Sequence, residues 1–306
     1  MNLVTILIPT YNRPQYLKIA LESILNQTYQ NFEIIISDNS PNDETESMLQ
    51  SFNDSRIKYF HDPNGNADSN WDFLRHYDNM NSEWVHWLMD DDAWKPNHLE
   101  VMLKTYEENP NVSLLMSGSE EVDGDGNHVK FLKHFGDKIV KKSGTETGRD
   151  LLITSYNFIG MPSHILMNKK FLRFGDNACW SDEDRGFFSL IDVSTWLQLL
   201  SKGDFMYIPD ILTVQREHPK KASHDFKILQ EFSIDFYIFV QRAWDQKIFL
   251  TTREEVIQAL KGVYDHHAIY NFRRKMNDER TEFLRKIIQL ADNFINGAEE
   301  LPKFEF

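Results

Sequence analysis

Three aspartates in a row, Asp90-Asp91-Asp92, follow an apolar run that ends at Met89. Adjacent carboxylates repel one another, and a bound divalent cation such as Mn2+ or Mg2+ is the simplest relief. An acidic cap on the helix starting near Pro96 is the other use open to them, because carboxylates are favoured at a helix N-terminus. Two more polar clusters follow apolar runs in the same way, Pro9-Thr10-Tyr11-Asn12-Arg13 and Asp38-Asn39-Ser40. Each alone also reads as a turn or an Asx-type cap. Together they suit a ligand made of a base and a diphosphate. Tyr11 can stack on the base, Asp38 can accept the N3 hydrogen of a uracil-like ring, and the aspartates can hold a metal that bridges the phosphates.

These clusters need a frame that puts strand ends side by side, and the hydrophobic pattern supplies one. Leu3 to Pro9 is a short β-rich run, and Pro14 to Gln27 has helical spacing through Leu17, Ala20, Leu21, Ile24 and Leu25. The alternation continues with a strand over Phe32 to Asp38, a helix over Asp43 to Phe52 and a strand over Ile57 to His61. A helix over Asp68 to Tyr77 and a strand over Trp84 to Met89 follow, then a helix over Pro96 to Asn109 and a strand over Val112 to Ser117. Such alternation predicts an α/β fold, a mostly parallel, mixed sheet flanked by helices, whose ligands bind beyond the carboxyl ends of the strands. Asp123-Gly124-Asp125-Gly126-Asn127 predicts a hairpin turn, and no glutamate closes it at the spacing of a calcium loop. From residue 224 onward the texture is helical, with patterns over Asp225 to Trp244, Arg253 to Phe272 and Glu279 to Phe294. The expected division is a sheet domain over 1–223 and a helical appendage over 224–306.

Composition narrows the partners. Hydrophobic residues form 41% of the 306 residues and aromatics 13%, enough for a buried core and unlike a disordered chain. A net charge of −14 argues against a broad nucleic-acid surface, so an anionic substrate needs a bound cation or local arginines. Cys179 is the single cysteine, which leaves no intrachain disulfide, and its plain reading is a small core residue. No stretch reaches the roughly 20 apolar residues of a membrane span, and a cytoplasmic location is the default expectation.

With these residues in hand the chain resembles glycosyltransferase family 2, inverting enzymes of the GT-A fold, from about Leu3 to His224. The carriers are Pro9 to Arg13, Leu25-Asn26-Gln27-Thr28-Tyr29, Phe32 to Asp38, Asn64-Gly65-Asn66, Asp90 to Pro96 and Arg216-Glu217-His218-Pro219. The resemblance implies a nucleotide-sugar donor, UDP- or dTDP-linked, and a hydroxyl acceptor in polysaccharide or glycolipid assembly. It places Thr10, Tyr11, Arg13 and Asp38 about the nucleotide base. Asp90 and Arg216 fall near the diphosphate, and Asp91, Asp92 and His218 fall at the metal. Asp192, opening the helix Ile191-Asp192-Val193-Ser194-Thr195-Trp196-Leu197, matches the general base, with Asp182, Glu183 and Asp184 as substitutes and a helix N-cap as its plain structural use. Gly160-Met161-Pro162-Ser163 resembles a turn on the acceptor side. The chain departs from the family pattern at Met89 and Ile191, where acidic residues are usual, and at Ser69-Asn70, where an arginine often precedes the asparagine.

Two other functions fit parts of this pattern. A nonenzymatic nucleotide-sugar binder would keep the base pocket and lose the base. A nucleotidyltransferase would share sheet and metal, but Pro9 to Arg13 lacks the glycines that grip a triphosphate. In the C-terminal helices, Phe232, Phe236, Tyr237, Phe239, Val240 and Trp244 must be buried against something. Core packing, a homodimer interface, a cover for the acceptor and a membrane-surface contact all meet that need.

Overall fold

The computed structural model describes residues 2–65, 67–77, 80, 82–172, 190–219, 226–265 and 279–302. Cys179, the acidic run Asp182, Glu183 and Asp184, Asn66 and the boundary at residues 223 and 224 lie outside the described residues.

The first strand, β1 (Val4–Thr10), is buried at all seven positions, because helices cover both faces of the sheet. Alternate side chains divide between two cores. Val4, Ile6 and Ile8 enter one with Ile34, Ile36 and the helix α1 (Pro14–Leu25), while Leu7 and Ile35 enter the other. Each such burial is worth about 1.5–3 kcal/mol. Helix α1 opens with Pro14 in its first turn, where a missing N–H costs nothing, and buries Leu17, Ala20, Leu21 and Ile24 at helical spacing. Just past its end, buried Gln27 donates to the carbonyls of Ser23 and Lys95 and accepts from the N–H of Leu99, tying the helix to the segment after the acidic run.

The sheet continues through β2 (Phe32–Asp38), β3 (Ile57–His61), β4 (Trp84–Trp87), β5 (Ala93–Trp94), β6 (Val112–Val122), β7 (His128–Leu132), β8 (Val140–Lys142), β9 (Ile165–Asn168) and β10 (Asp204–Arg216). Its order is β3-β2-β1-β4-β9-β6-β10-β5, with β7 on β6 and β8 on β10. The half from β3 to β4 is parallel, as is the pair β6 and β10, and the remaining pairings are antiparallel. The sheet is thus mixed. Strands β5, β7, β8 and β9 supply its antiparallel pairings, and only the β6–β7 hairpin around Asp123 to Asn127 carried a turn signal. Register does the functional work. Thr10 pairs with Asp38, and the N–H of Leu88 bonds Leu7, so the chain ends of β1, β2 and β4 open at one edge.

Between these strands lie α2 (Glu44–Leu49), α3 (Ala67–Arg75), α4 (His98–Glu108), α5 (Gly144–Thr154) and α6 (Ile191–Leu200). The C-terminal helices α7 (Phe226–Gln246), α8 (Arg253–Val263) and α9 (Glu279–Ile295) share a core with α5, α6 and one sheet face. Phe236, Tyr237, Phe239 and Val240 are buried in it, so core packing accounts for these aromatic and aliphatic groups. Helix α8 begins with a complete capping box between Thr252 and Glu255. Gly148 of α5 lies against the ring of Phe249, where an added Cβ would sit 2.4 Å from ring carbons.

Candidate active site

At the carboxyl end of β1 the chain turns through Asn12, whose φ is 54°, a left-handed conformation that asparagine tolerates better than most residues. The turn is held from two sides. The N–H of Asn12 bonds the Ser40 hydroxyl at 2.7 Å, and Asn70 donates to the carbonyl of Thr10 at 2.8 Å while accepting from Ser37. Arg13 is thereby aimed across the strand ends at the acidic run. Its guanidinium meets Asp90 at 2.7 and 3.1 Å and Asp91 at 3.0 Å, and Thr10 donates to Asp90 at 2.7 Å.

From β10 come the other two groups. His218 Nε2 lies 2.9 Å from Asp91 Oδ2, and the N–H of Arg216 bonds Asp92 Oδ1 at 3.1 Å. The Arg216 side chain reaches the carbonyls of Asp91, Asp123 and Gly124, joining the acidic run to the β6–β7 hairpin. The ring of Tyr16 packs beneath both, 5.2 Å from the His218 ring and 5.1 Å from the Arg216 guanidinium. Burial raises the carboxyl of Asp90 to about 7, against the pull of Arg13 and with some help from the neighbouring charge of Asp91. None of the three aspartates caps the following helix, whose N-cap is Asn97.

The two residues expected at the base divide by exposure. Tyr11 is 52% exposed and open to stack, while Asp38 is sealed at 0%. Asp38 accepts from the N–H and hydroxyl of Ser40 and, at 2.8 Å, from the hydroxyl of Tyr59. Burial and the Asp38 carboxylate together hold the Tyr59 phenol above its usual range. Gly65 sits so close to Asn39 that an added Cβ would meet its amide nitrogen at 2.0 Å, which gives the glycine of Asn64-Gly65 a packing reason.

Asp192 stands in the first turn of α6. The N-cap there is Leu190, so Asp192 is not the cap, although its Oδ1 takes the N–H of Val193 at 2.7 Å. Its Oδ2 accepts from the side-chain amide of Asn157 at 2.8 Å. Burial pushes its carboxyl up to about 6, opposed by these N–H donors. From the C-terminal helices, Asp235 of α7 accepts the N–H of Leu190 at 2.9 Å and so braces the start of α6. Ser163, after the Gly160 turn, bonds the N–H of Met89 through its hydroxyl and the indole of Trp94 through its carbonyl. The turn on one side of the site therefore holds the acidic run on the other.

The residue family is decided by sequence: the profile of glycosyl transferase family 2 matches residues 5–173, more than half of the chain. The chain belongs to glycosyltransferase family 2. Among its relatives, an uncharacterised glycosyltransferase of Rickettsia conorii is 36% identical over 135 residues, 43% of this chain and 22% of that protein. The GalNAc(5)-diNAcBac-PP-undecaprenol β-1,3-glucosyltransferase of Campylobacter jejuni is 29% identical over 176 residues, 56% of this chain and 55% of that protein. A UDP-Glc:α-D-GlcNAc-diphosphoundecaprenol β-1,3-glucosyltransferase of Escherichia coli is 29% identical over 147 residues, 46% of this chain and 56% of that protein. This chain thus spans about half the length of these two relatives and less of the first. Among solved structures, residues 1–349 of TarS from S. aureus in complex with UDP superpose with a TM-score of 0.67 at 14% identity, covering 95% of this chain and 81% of that one. This likeness extends to the C-terminal helices and identifies the fold as GT-A.

Thr10, Arg13, Asp90, Asp91, Asp92, Arg216 and His218 meet in one cluster, with Asp38 tied in through the Thr10 pairing and Ser40. Among the described residues no group of three or more His, Cys, Asp or Glu side chains is arranged to hold a metal. What does meet is one carboxylate and one imidazole, Asp91 and His218, while Asp92 is turned toward the backbone of β10. Sequence reasoning named Ser40 only as a member of its polar cluster and passed over Tyr16, Tyr59 and Asn157 as site residues. Tyr16 had a signal, an aromatic one helical turn past the polar cluster, whereas Asn157 touches Asp192 across 35 residues and had none.

Proposed function

We propose that this chain is a metal-dependent, inverting glycosyltransferase that moves a sugar from a UDP- or dTDP-linked donor to a hydroxyl on a lipid-linked glycan. One observation carries the reading: Arg13, Arg216 and His218 close on an acidic run, while burial raises the proton affinity of a separate carboxylate, Asp192. The names of the E. coli and C. jejuni relatives supply the acceptor class, and the UDP complex of TarS supports the nucleotide.

In this reading Tyr11 stacks on the base and Asp38 takes its edge hydrogen, with Ser40 and Tyr59 fixing the carboxylate. Asp91 would hold Mn2+ or Mg2+ with His218 beside it, since magnesium sites use one or two carboxylates together with substrate phosphates and imidazole is a common ligand of transition metals. When bound, the cation would supply charge neutralisation to the diphosphate. Arg13 matches the charge of Asp90, and Arg216 holds Asp92 through its backbone N–H. Asp192 takes the proton from the acceptor hydroxyl as its oxygen bonds the anomeric carbon, and the bond to the diphosphate breaks on the opposite face. A base whose proton affinity lies near ambient pH is both ionised and strong enough to help, which is where general-base catalysis is most effective.

Thermal unfolding with UDP and dTDP, each with and without Mn2+, tests this. At a hundredfold excess over the dissociation constant, bound ligand should add roughly 2.7 kcal/mol, and only when the cation is present. Asp91→Asn should remove the cation-dependent part. A shift that persists unchanged in Asp91→Asn would take this residue out of the metal site.

A further inference from the structure

The side chain of Asn157 lies in the loop between α5 and the turn at Pro162, and all three of its bonds are directional. Oδ1 accepts from the N–H of Gly160 at 3.0 Å, and Nδ2 donates to the carbonyl of Gly160 at 3.2 Å and to Asp192 Oδ2 at 2.8 Å. The two contacts to Gly160 read a donor and an acceptor at once, so the amide cannot be flipped without losing both. Its second N–H is then committed to Asp192. Gly160 makes this closure from a φ of +94°, a conformation open to glycine, and the loop begins at Ser155 with a φ of 47°. We propose that Asn157 is the positioning residue for Asp192: its amide fixes the direction of the carboxylate and presents it ionised to the acceptor hydroxyl. This rests on Asp192 being the base.

The chemistry requires an amide at this place. Oδ2 of Asp192 accepts from Asn157 and Oδ1 from Val193, and the residue's own N–H also bonds the carboxylate, which still leaves lone-pair capacity for the incoming hydroxyl. An aspartate at 157 would set two carboxylates against each other, and glutamine would place the amide too far out to close on Gly160. An N–H donor bonds the ionised carboxylate more strongly than the protonated acid, so it opposes the effect of burial. Among the described residues the titratable groups at this corner are His164, whose ring lies 3.4 Å from a Cβ built on Gly160, Asp235, which holds the N–H of Leu190, and Tyr156 beside Asn157. None of them is among the causes of the shift at Asp192.

The test uses the full chain labelled with carboxyl-13C aspartate, with Asp192→Asn to assign the resonance. Asn157→Ala should raise the proton affinity of Asp192 by about three- to tenfold, and Asn157→Asp, which keeps the size of the side chain, by more. Hydrolysis of UDP-glucose and of UDP-N-acetylglucosamine, with water as acceptor, gives the second readout. Both variants should lose more turnover at about pH 6 than at about pH 8.5, with donor KM unchanged. A titration midpoint unmoved in both variants would overturn the role of Asn157 while leaving Asp192 as base. A moved midpoint together with normal turnover in Asp192→Asn would overturn it through the base assignment instead.

Discussion

At the proposed donor corner the carboxylates are met by the Arg13 guanidinium on Asp90 and Asp91, by the His218 ring on Asp91 and by the Arg216 N–H on Asp92. Asp192 is met, among the described residues, by neutral N–H groups, those of Asn157, of Val193 and of its own backbone. Burial pushes both Asp90 and Asp192 toward the protonated form, so the difference lies in partners. A carboxylate matched by cations is organised to hold charge, and one matched by amides is organised to exchange a proton. Asp90 marks the limit of this contrast, because its burial outweighs even a paired arginine. Its bonds to Thr10 and Arg13 make it the anchor of the corner more than a reacting group.

The contrast is broken most severely at Asp192. Asp192→Asn should lower turnover by about 10²–10⁴-fold while leaving donor affinity nearly intact, and product NMR on the wild type should show an inverted anomeric centre. Its stability should move the other way. Burial raises this carboxyl to about 6 from 3.8, so the folded protein binds the proton more tightly than the unfolded chain. The stabilising contribution is therefore full below about pH 4 and is lost as pH rises through about 6. Asparagine does not titrate, so the variant should be more stable than wild type by about 1–3 kcal/mol at neutral pH and lose that advantage below about pH 4. Urea unfolding at both pH values measures it, and an equal difference at the two would discard burial as the cause.

Arg13 offers a way to break the other corner. Arg13→Ala leaves Asp90 and Asp91 without their guanidinium, and removing one partner of a buried pair costs about 3 kcal/mol. The loss should be partly restored by Mn2+, and Mn2+ should stabilise this variant more than the wild type, because the cation then meets carboxylates that lack a counter-charge. Equal Mn2+ responses in the two proteins, read by chemical denaturation, would show that Arg13 and the cation do not act on the same group.

How far these corners can be read from sequence follows from how each is built. The donor corner draws on the first residues after β1, β2 and β4, so three apolar runs followed by polar clusters were enough to locate it, and the parallel register of Thr10 with Asp38 did the rest. Arg216 and His218 were legible through the family motif. The acceptor corner is made by contacts from Asn157 to Asp192 and from Asp235 to Leu190, each between separate helices or loops, and no periodicity links them. The same reason hid β5, β8 and β9, which are short and take their place from partner strands. The C-terminal helices were visible as helices, but that α7 shares a core with α5 and α6 could not be seen from the aromatic spacing alone.

The smallest expected effect concerns the sealed carboxylate of Asp38. Asp38→Ala should weaken uridine nucleotides relative to bare pyrophosphate by roughly 1.5–3 kcal/mol, the range for a hydrogen bond to a charged group. That variant also strips Ser40 and Tyr59 of their acceptor, so it cannot separate reading the base from bracing the pocket. Tyr59→Phe can. It removes one donor from Asp38 Oδ2 and leaves Ser40 on Oδ1, which frees a lone pair on the side where the base edge would bond. If Asp38 reads the base, Tyr59→Phe should change UDP affinity by less than about 1 kcal/mol, in either direction, at a stability cost of about 1 kcal/mol. Isothermal titration with UDP and with pyrophosphate distinguishes the cases. A uridine-specific loss in Tyr59→Phe as large as that in Asp38→Ala would mean that the phenol shapes the base pocket and that Asp38 acts only by holding it.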